Sequence, residues 1–193
     1  MTNVVLLGGN GYIGRNVTEA WLAKDSSAVF YVVSRSGKNS LQNSRIHNIA
    51  ADVTNLATVR QHLPEQVDYI VDFVGRPESD EAAFIQVNDK PAEVMLAIAK
   101  EKKVKAMGFI GGLLGPKKFL EGKKRIADQL RASGIRTEVV EPTVVYGNGR
   151  SNALAKLVPI FKFFGLFVKT MKPVLVSDVA DELVGKLVKL DGS

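Results

Sequence analysis

Val4-Val5-Leu6-Leu7-Gly8-Gly9-Asn10-Gly11-Tyr12-Ile13-Gly14 decides how the chain is read. The apolar run reads as a buried strand. Arg15 to Lys24 reads as a helix with Val17, Ala20 and Trp21 on one face. Between them stand glycines at 8, 11 and 14, with an extra one at 9. Each has a distinct role in a strand–turn–helix phosphate site. Gly8 permits the tight turn, Gly11 lets the backbone approach a pyrophosphate, and Gly14 lets the helix pack close to the strand. The helix N-terminus adds free N–H groups and the positive end of its dipole. A glycine-rich turn that binds nothing is the competing reading. The position directly after a strand and before a helix favours the nucleotide.

The 193 residues suffice for one domain with a sizeable core, and 46% of them are hydrophobic. There is no cysteine, which excludes disulfides, thiol catalysis and cysteine-ligated metal, and fits a reducing cytosol. No basic and apolar leader opens the sequence, and no run of about 18 apolar residues appears, so a cytoplasmic protein is expected. The net charge is +6, but the cations are scattered over what read as solvated helix faces. With no helix-turn-helix signal and no basic stripe, nucleic acid is not the expected partner. No metal-ligand spacing occurs, and His47 and His62 read as structural.

Short apolar runs alternate with helical patterns along the rest of the chain. Strands are predicted at Ala28 to Val33, Arg45 to Ala50, Val67 to Val74, Ala106 to Ile110 and Arg136 to Glu141. Helices are predicted at Leu56 to Leu63, Pro91 to Lys102 and Lys117 to Ala132. Strands separated by helices imply right-handed crossovers and a doubly wound parallel α/β sheet. Residues 1–193 then form a single domain. Ligands of such sheets lie at the carboxyl ends of the strands, so the loops there carry the function.

After the second strand comes Ser34-Arg35-Ser36-Gly37-Lys38. An NAD site places an acid about 20 residues beyond the glycines to bind the ribose 2′-hydroxyl. Here Ser34 and Arg35 occupy that place, and a guanidinium pairs with a 2′-phosphate where an acid repels it. The expected cofactor is therefore NADP(H), with a surface arginine as the bland alternative. After the third strand, Asp52 is a candidate acceptor for an adenine amino group and Val53 a packing surface for its ring. Asp52 or Thr54 is also a candidate helix cap. After the fourth strand, Gly75 lets the backbone pass close to the cofactor beside Val74, and Arg76 either contacts phosphate or is solvated.

These pieces, with Glu141-Pro142-Thr143-Val144-Val145-Tyr146-Gly147 and Val176-Ser177-Asp178-Val179-Ala180, resemble the atypical short-chain dehydrogenase/reductases of the NmrA-like or complex I accessory-subunit-like group. The resemblance implies a single Rossmann-like NAD(P)-binding domain over residues 1–193, with 143–193 as its small substrate or lid portion. It implies cofactor contacts from Gly8, Asn10, Gly11, Tyr12, Ile13 and Gly14. It leaves activity open, because the group holds reductases, redox-sensing regulators and structural subunits. Active members of the wider family use a Tyr-x-x-x-Lys pair with a serine or threonine after the preceding strand. The matching spacing here is Phe119-Leu120-Glu121-Gly122-Lys123, and the strand ends Ile110-Gly111-Gly112. Phenylalanine carries no proton to transfer. Of the triad only Lys123 remains.

Phe119, Lys123, Ile126, Ala127 and Leu130 share one helix face, which packs inward. Lys123 on that face either reaches ribose hydroxyls or snorkels along the helix edge into water. Tyr146, after the sixth strand, is the candidate replacement acid or else a pocket wall. The apolar stretch Asn152 to Val168 reads as core, as a cover over the substrate cleft, or as an interaction surface flanked by Lys156, Lys162 and Lys169. A short strand at Val174 to Val176 follows. Asp178 to Leu190 then reads as a helix capped by Ser177 or Asp178.

Two functions compete. One is an NADP-dependent oxidoreductase that reduces a small apolar carbonyl or quinone. The other is a non-catalytic NADP-binding redox-sensor, regulatory or assembly module that contacts a protein partner.

Overall fold

A computed structural model of the protein describes residues 1–148 and 173–188. The stretch Asn152 to Val168 and the end of the last predicted helix, Leu190, lie outside the described residues. Six parallel strands form one sheet: β1 (Thr2–Leu7), β2 (Ala28–Ser34), β3 (Ile46–Ala50), β4 (Tyr69–Asp72), β5 (Ala106–Ile110) and β6 (Thr137–Val140). Their spatial order is β3-β2-β1-β4-β5-β6. The order reverses on either side of β1, which places the switch point of the doubly wound sheet at its carboxyl end.

β1 shows why these residues make this sheet. Val4, Val5, Leu6 and Leu7 are all fully buried, since the strand is central and covered on both faces. Successive side chains point to opposite faces. Val4 and Leu6 therefore join Val17, Trp21, Phe30, Tyr69 and Leu183 in one core layer. Val5 and Leu7 join Ile70, Met95, Ile98, Met107 and Ile126 in the other. The first layer lies under α1 (Tyr12–Lys24) and α6 (Val176–Val188), and the second under α4 (Lys90–Lys102) and α5 (Lys117–Arg131). Trp21 packs edge-on against Phe30 and Tyr69, with centroids 6.1 and 5.3 Å away. Burial of each such side chain stabilises the fold by roughly 1.5–3 kcal/mol.

Every predicted strand and helix that falls on described residues is present, with ends moved by a few positions. α2 is shorter than read, Leu56–Arg60, and its cap is Asn55, whose side chain accepts from Thr58 N–H. Neither Asp52 nor Thr54 caps it. Asp52 instead closes a turn on itself, accepting from both the N–H and the hydroxyl of Thr54 at 2.9 Å. α6 begins at Val176, so Ser177 and Asp178 lie inside its first turn and are not its cap. α6 packs against α1, β5 and β6. A short parallel pair, β7 (Val145–Tyr146) and β8 (Val174–Leu175), stands beside it.

One element was not legible. Before α4 the chain is already helical, as α3 (Glu81–Phe84) followed by a π-helical turn over Ile85–Asp89. Pro91 masks this in the sequence, because an α-helical proline clashes with the carbonyl four residues back, here Val87. The widened turn across Val87 relieves that clash, so the helix runs through the proline. The wide turn also carries Asn88 and Asp89 inward, where both are buried.

Candidate functional site

The carboxyl end of β1 passes into the glycine turn. Gly8 sits at φ +72°, a conformation that side chains rarely adopt, and a Cβ there would stand 2.8 Å from Val74. Gly14 packs so tightly that its Cβ would lie 2.6 Å from Gly9 Cα, which is the close approach of helix to strand that its position implies. Gly11 is the exposed N-cap of α1, at φ −70° and ψ 177°, and no side chain caps the helix. The open amides of that first turn and the bare Gly11 form a cradle suited to an anion. Asn10 and Tyr12 brace it. Asn10 Nδ2 donates to Lys38 O at 3.0 Å, Arg15 donates to Asn10 O at 2.7 Å, and the Tyr12 hydroxyl donates to Gly147 O at 2.7 Å. Their side chains therefore hold loops, which leaves ligand contact to the backbone of the turn.

β2 delivers Ser34 and Arg35 to the same end of the sheet. Ser34 is buried and its hydroxyl has no hydrogen-bond partner, whereas Arg35 is exposed. The turn after them uses Gly37 at φ +63°. Asp52 is exposed beyond β3, and Val53 is buried in the core with Val33 and Val59. A buried hydroxyl without a partner, an uncapped helix end and an adjacent guanidinium are the donor set that a nucleotide phosphate and ribose require. These residues fit a dinucleotide.

The loop after β4 forms the floor of the site, and three buried side chains, Asp72, Lys123 and Asn88, hold it. Asp72 Oδ1 accepts from Val74 N–H at 2.8 Å, while Lys123 Nζ donates to Val74 O at 3.2 Å. The Val74 residue is thus gripped at both its amide and its carbonyl. Asn88 does the same for Arg76, accepting from its N–H at 3.2 Å and donating to its carbonyl at 3.0 Å. Gly75 lies between the two clamps at φ +148°, and a Cβ there would stand 2.7 Å from both Lys123 Nζ and Asn88 Oδ1. The Arg76 side chain turns away to an ion pair with Glu78 at 2.5 Å, exposed to solvent.

Lys123 is 4% exposed, so its side chain does not snorkel into water. Its Nζ lies 4.3 Å from the centre of the Phe109 ring. Burial pushes the amine's pKa down, and the carboxylates of Asp72 and Asp89 pull it partly back. Burial likewise raises Asp72 to about 6, against the opposing pull of Lys123 and the Val74 N–H. One oxygen of Asp72 is buried without a hydrogen-bond partner. Asp89 is held by Arg125 at 2.6 Å.

Beside this floor, at the carboxyl ends of β4, β5 and β6, a cleft of about 400 Å³ opens. Its walls include Ile13, Phe73, Ile110, Leu114, Phe119 and Val144, with Lys123 and Thr143 as its polar side chains. Phe119 packs edge-on to Phe84, with ring centroids 6.5 Å apart. Tyr146 does not line the cleft among the described residues, whereas Thr143, Val144 and Val145 do. His47 stacks on Tyr31 and His62 bonds to Gln61, both on the surface, as structural histidines. Among the described residues no cluster of His, Cys, Asp or Glu is arranged to hold a metal. Nor is any described helix long and apolar enough to cross a membrane.

Sequence reasoning missed Asp72, Asn88 and Thr143. Asp72 had a signal, an acid at the end of an otherwise apolar strand. Asn88 had none, because the π-helical turn that aims it was hidden by Pro91.

A family model described as "NAD dependent epimerase/dehydratase family" matches residues 4–118, more than half the chain. No curated protein sequence matches. Solved structures do. The Bordetella bronchiseptica enzyme WbmH, in complex with NAD+, is 17% identical with a TM-score of 0.75, over 100% of this chain and 73% of that one. Thermus thermophilus UDP-glucose 4-epimerase, in complex with NAD, is 16% identical with a TM-score of 0.69, over 93% and 72%. A short chain dehydrogenase family protein of Francisella tularensis is 15% identical with a TM-score of 0.69, over 97% and 91%.

Proposed function

Since the chain belongs to the NAD dependent epimerase/dehydratase family, we propose that it is an NADP(H)-dependent oxidoreductase of the atypical short-chain dehydrogenase/reductase type, acting on a small apolar carbonyl or quinone. The observation that carries the reading is the junction of two sites: the glycine cradle at the end of β1 meets an apolar cleft at the ends of β4 to β6. The first amides of α1 bind the pyrophosphate, which Gly11, having no side chain, lets approach. Arg35 pairs with the 2′-phosphate, and the Ser34 hydroxyl, which lacks a partner among the described residues, serves the adenosine ribose. Gly75 lets the loop floor approach the second ribose, and Lys123 donates to its hydroxyls. The nicotinamide supplies or accepts hydride.

The walls of the cleft do the rest. Phe73, Ile110, Phe119 and Val144 exclude water from the reacting carbons and favour an apolar substrate. Positioning then provides most of the rate. Thr143 and Lys123 are the polar side chains at hand for a substrate oxygen.

Phe119 supports a second reading. Without a tyrosine hydroxyl, the domain would bind NADP(H) as a redox sensor, regulator or assembly module and catalyse nothing. Melting with NADP+, NADPH, NAD+ and NADH, followed by NADPH oxidation against a panel of carbonyls and quinones, separates the two. Stabilisation by the phosphorylated pair with turnover on the panel supports the enzyme. The same stabilisation without turnover supports the module. No stabilisation by any of the four overturns both.

A further inference from the structure

In the reading above, the Lys123 amine meets a cofactor hydroxyl. When that position is vacant the amine faces the apolar cleft, and its chemistry there is different. Nζ has three protons, of which one is engaged by Val74 O at 3.2 Å. The tyrosine hydroxyl that would accompany this lysine is replaced by the Phe119 ring, which offers no hydrogen bond. The amine therefore sits in a cleft of about 400 Å³ whose walls are largely carbon.

We propose that Lys123 is a covalent capture site for small apolar aldehydes, which it holds as an imine in the cleft beside Phe109 and Phe119. The ammonium first gives one proton to solvent; the neutral Nζ then gives its lone pair to the carbonyl carbon and a C–N bond forms. The carbonyl oxygen leaves as water with the two amine protons, and the C=N that remains takes one proton from solvent to become an iminium. No electron is gained or lost. The product keeps the positive charge of the lysine, so the counter-charge of Asp72 is still matched and no lone charge is buried. The Phe109 ring, 4.3 Å from Nζ, favours that cation on its face. The alkyl tail of the aldehyde lies against Ile110, Leu114 and Val144.

Burial favours the neutral, nucleophilic amine here over the lysines of the surface. Two carboxylates oppose it, Asp72 from β4 and Asp89 from the π-helical turn, and Arg125 shares Asp89. The direction that remains is downward. Lys117 and Lys124, on the exposed side of the same helix, are the internal standards.

The inference rests on the cleft being a carbonyl site, and the test keeps the two claims apart. The full chain is treated with hexanal at neutral pH, reduced with borohydride and mapped by peptide mass. Parallel samples carry saturating NADP+ or replace hexanal by glyceraldehyde. The expected result is an adduct at Lys123 at about tenfold the occupancy of Lys117 or Lys124, with no such preference for the hydrophilic aldehyde. Protection by NADP+ supports the shared site. An unprotected Lys123 adduct upholds capture and counts against the placement of the cofactor. Adducts on the surface lysines with Lys123 unmodified overturn the proposal, whatever NADP+ does to melting. Lys123→Arg checks the mass assignment. Lys124→Arg, outside the cleft, must leave the Lys123 adduct in place.

Discussion

Gly11→Ala separates binding from folding at the glycine turn. Gly11 has φ −70° and ψ 177°, which any residue can adopt, and an added Cβ meets only Gly8 O, at 3.1 Å. Alanine is a weaker N-cap than glycine by less than about 1 kcal/mol. The fold should therefore lose less than about 1 kcal/mol, or a few degrees of Tm for a domain of this size. The methyl group, however, projects into the cradle where the pyrophosphate must approach. Wild type with NADP+ at about 100 times Kd gains roughly 2.7 kcal/mol, a shift of roughly 5–10 °C. A hundredfold loss of affinity leaves only about 0.4 kcal/mol at the same concentration. Gly14→Ala is the contrast. Its Cβ would stand 2.6 Å from Gly9 backbone atoms, so helix and strand must part, at a cost of about 1–3 kcal/mol or more. Differential scanning fluorimetry with and without NADP+ reads both variants. The reasoning is refuted if Gly11→Ala keeps the full nucleotide shift, or if it melts as low as Gly14→Ala.

Three further outcomes follow from the site. Arg35→Ala should weaken NADP+ by about 10- to 100-fold and leave NAD+ unchanged by isothermal titration, since only the 2′-phosphate contact is removed. Asp72 has a folded pKa of about 6, above the unfolded value, so the stability its protonated form contributes is full below pH ~4 and is lost as pH rises through ~6, by up to about 3 kcal/mol. Asp72→Asn should flatten the Tm profile over that window, and parallel profiles would contradict the assignment. Gly112→Ser with Phe119→Tyr restores the missing hydroxyls at positions where a Gly112 Cβ has no neighbour nearer than 3.9 Å. The double variant should oxidise NADPH at least about tenfold faster than wild type on the same carbonyl panel.

How much of this was legible follows from the range of the interactions. The apolar runs and the glycine spacing are local signals, and they placed the strands and the turn that follows the first of them. Caps are also local, yet Asn55 outcompeted Asp52 because Asp52 spent its carboxylate on Thr54. The floor of the cleft was not legible, since it depends on groups far apart in sequence. Asp72 and Lys123 grip Val74 from either side of a gap of some fifty residues. Asn88 reaches Arg76 only because a widened turn aims it inward. Tyr146 looked like a site residue by its place after a strand. Of the two residues of β7, Val145 lines the cleft among the described residues and Tyr146 does not.

The central claim, a dinucleotide held by the glycine cradle with Arg35 on its 2′-phosphate, is tested most directly by isothermal titration of the wild-type chain with NADP+ and NAD+ side by side. Binding of NADP+ at one site per chain, at least about tenfold tighter than NAD+, is the predicted result. Equal affinities, or no heat with either nucleotide, would contradict it.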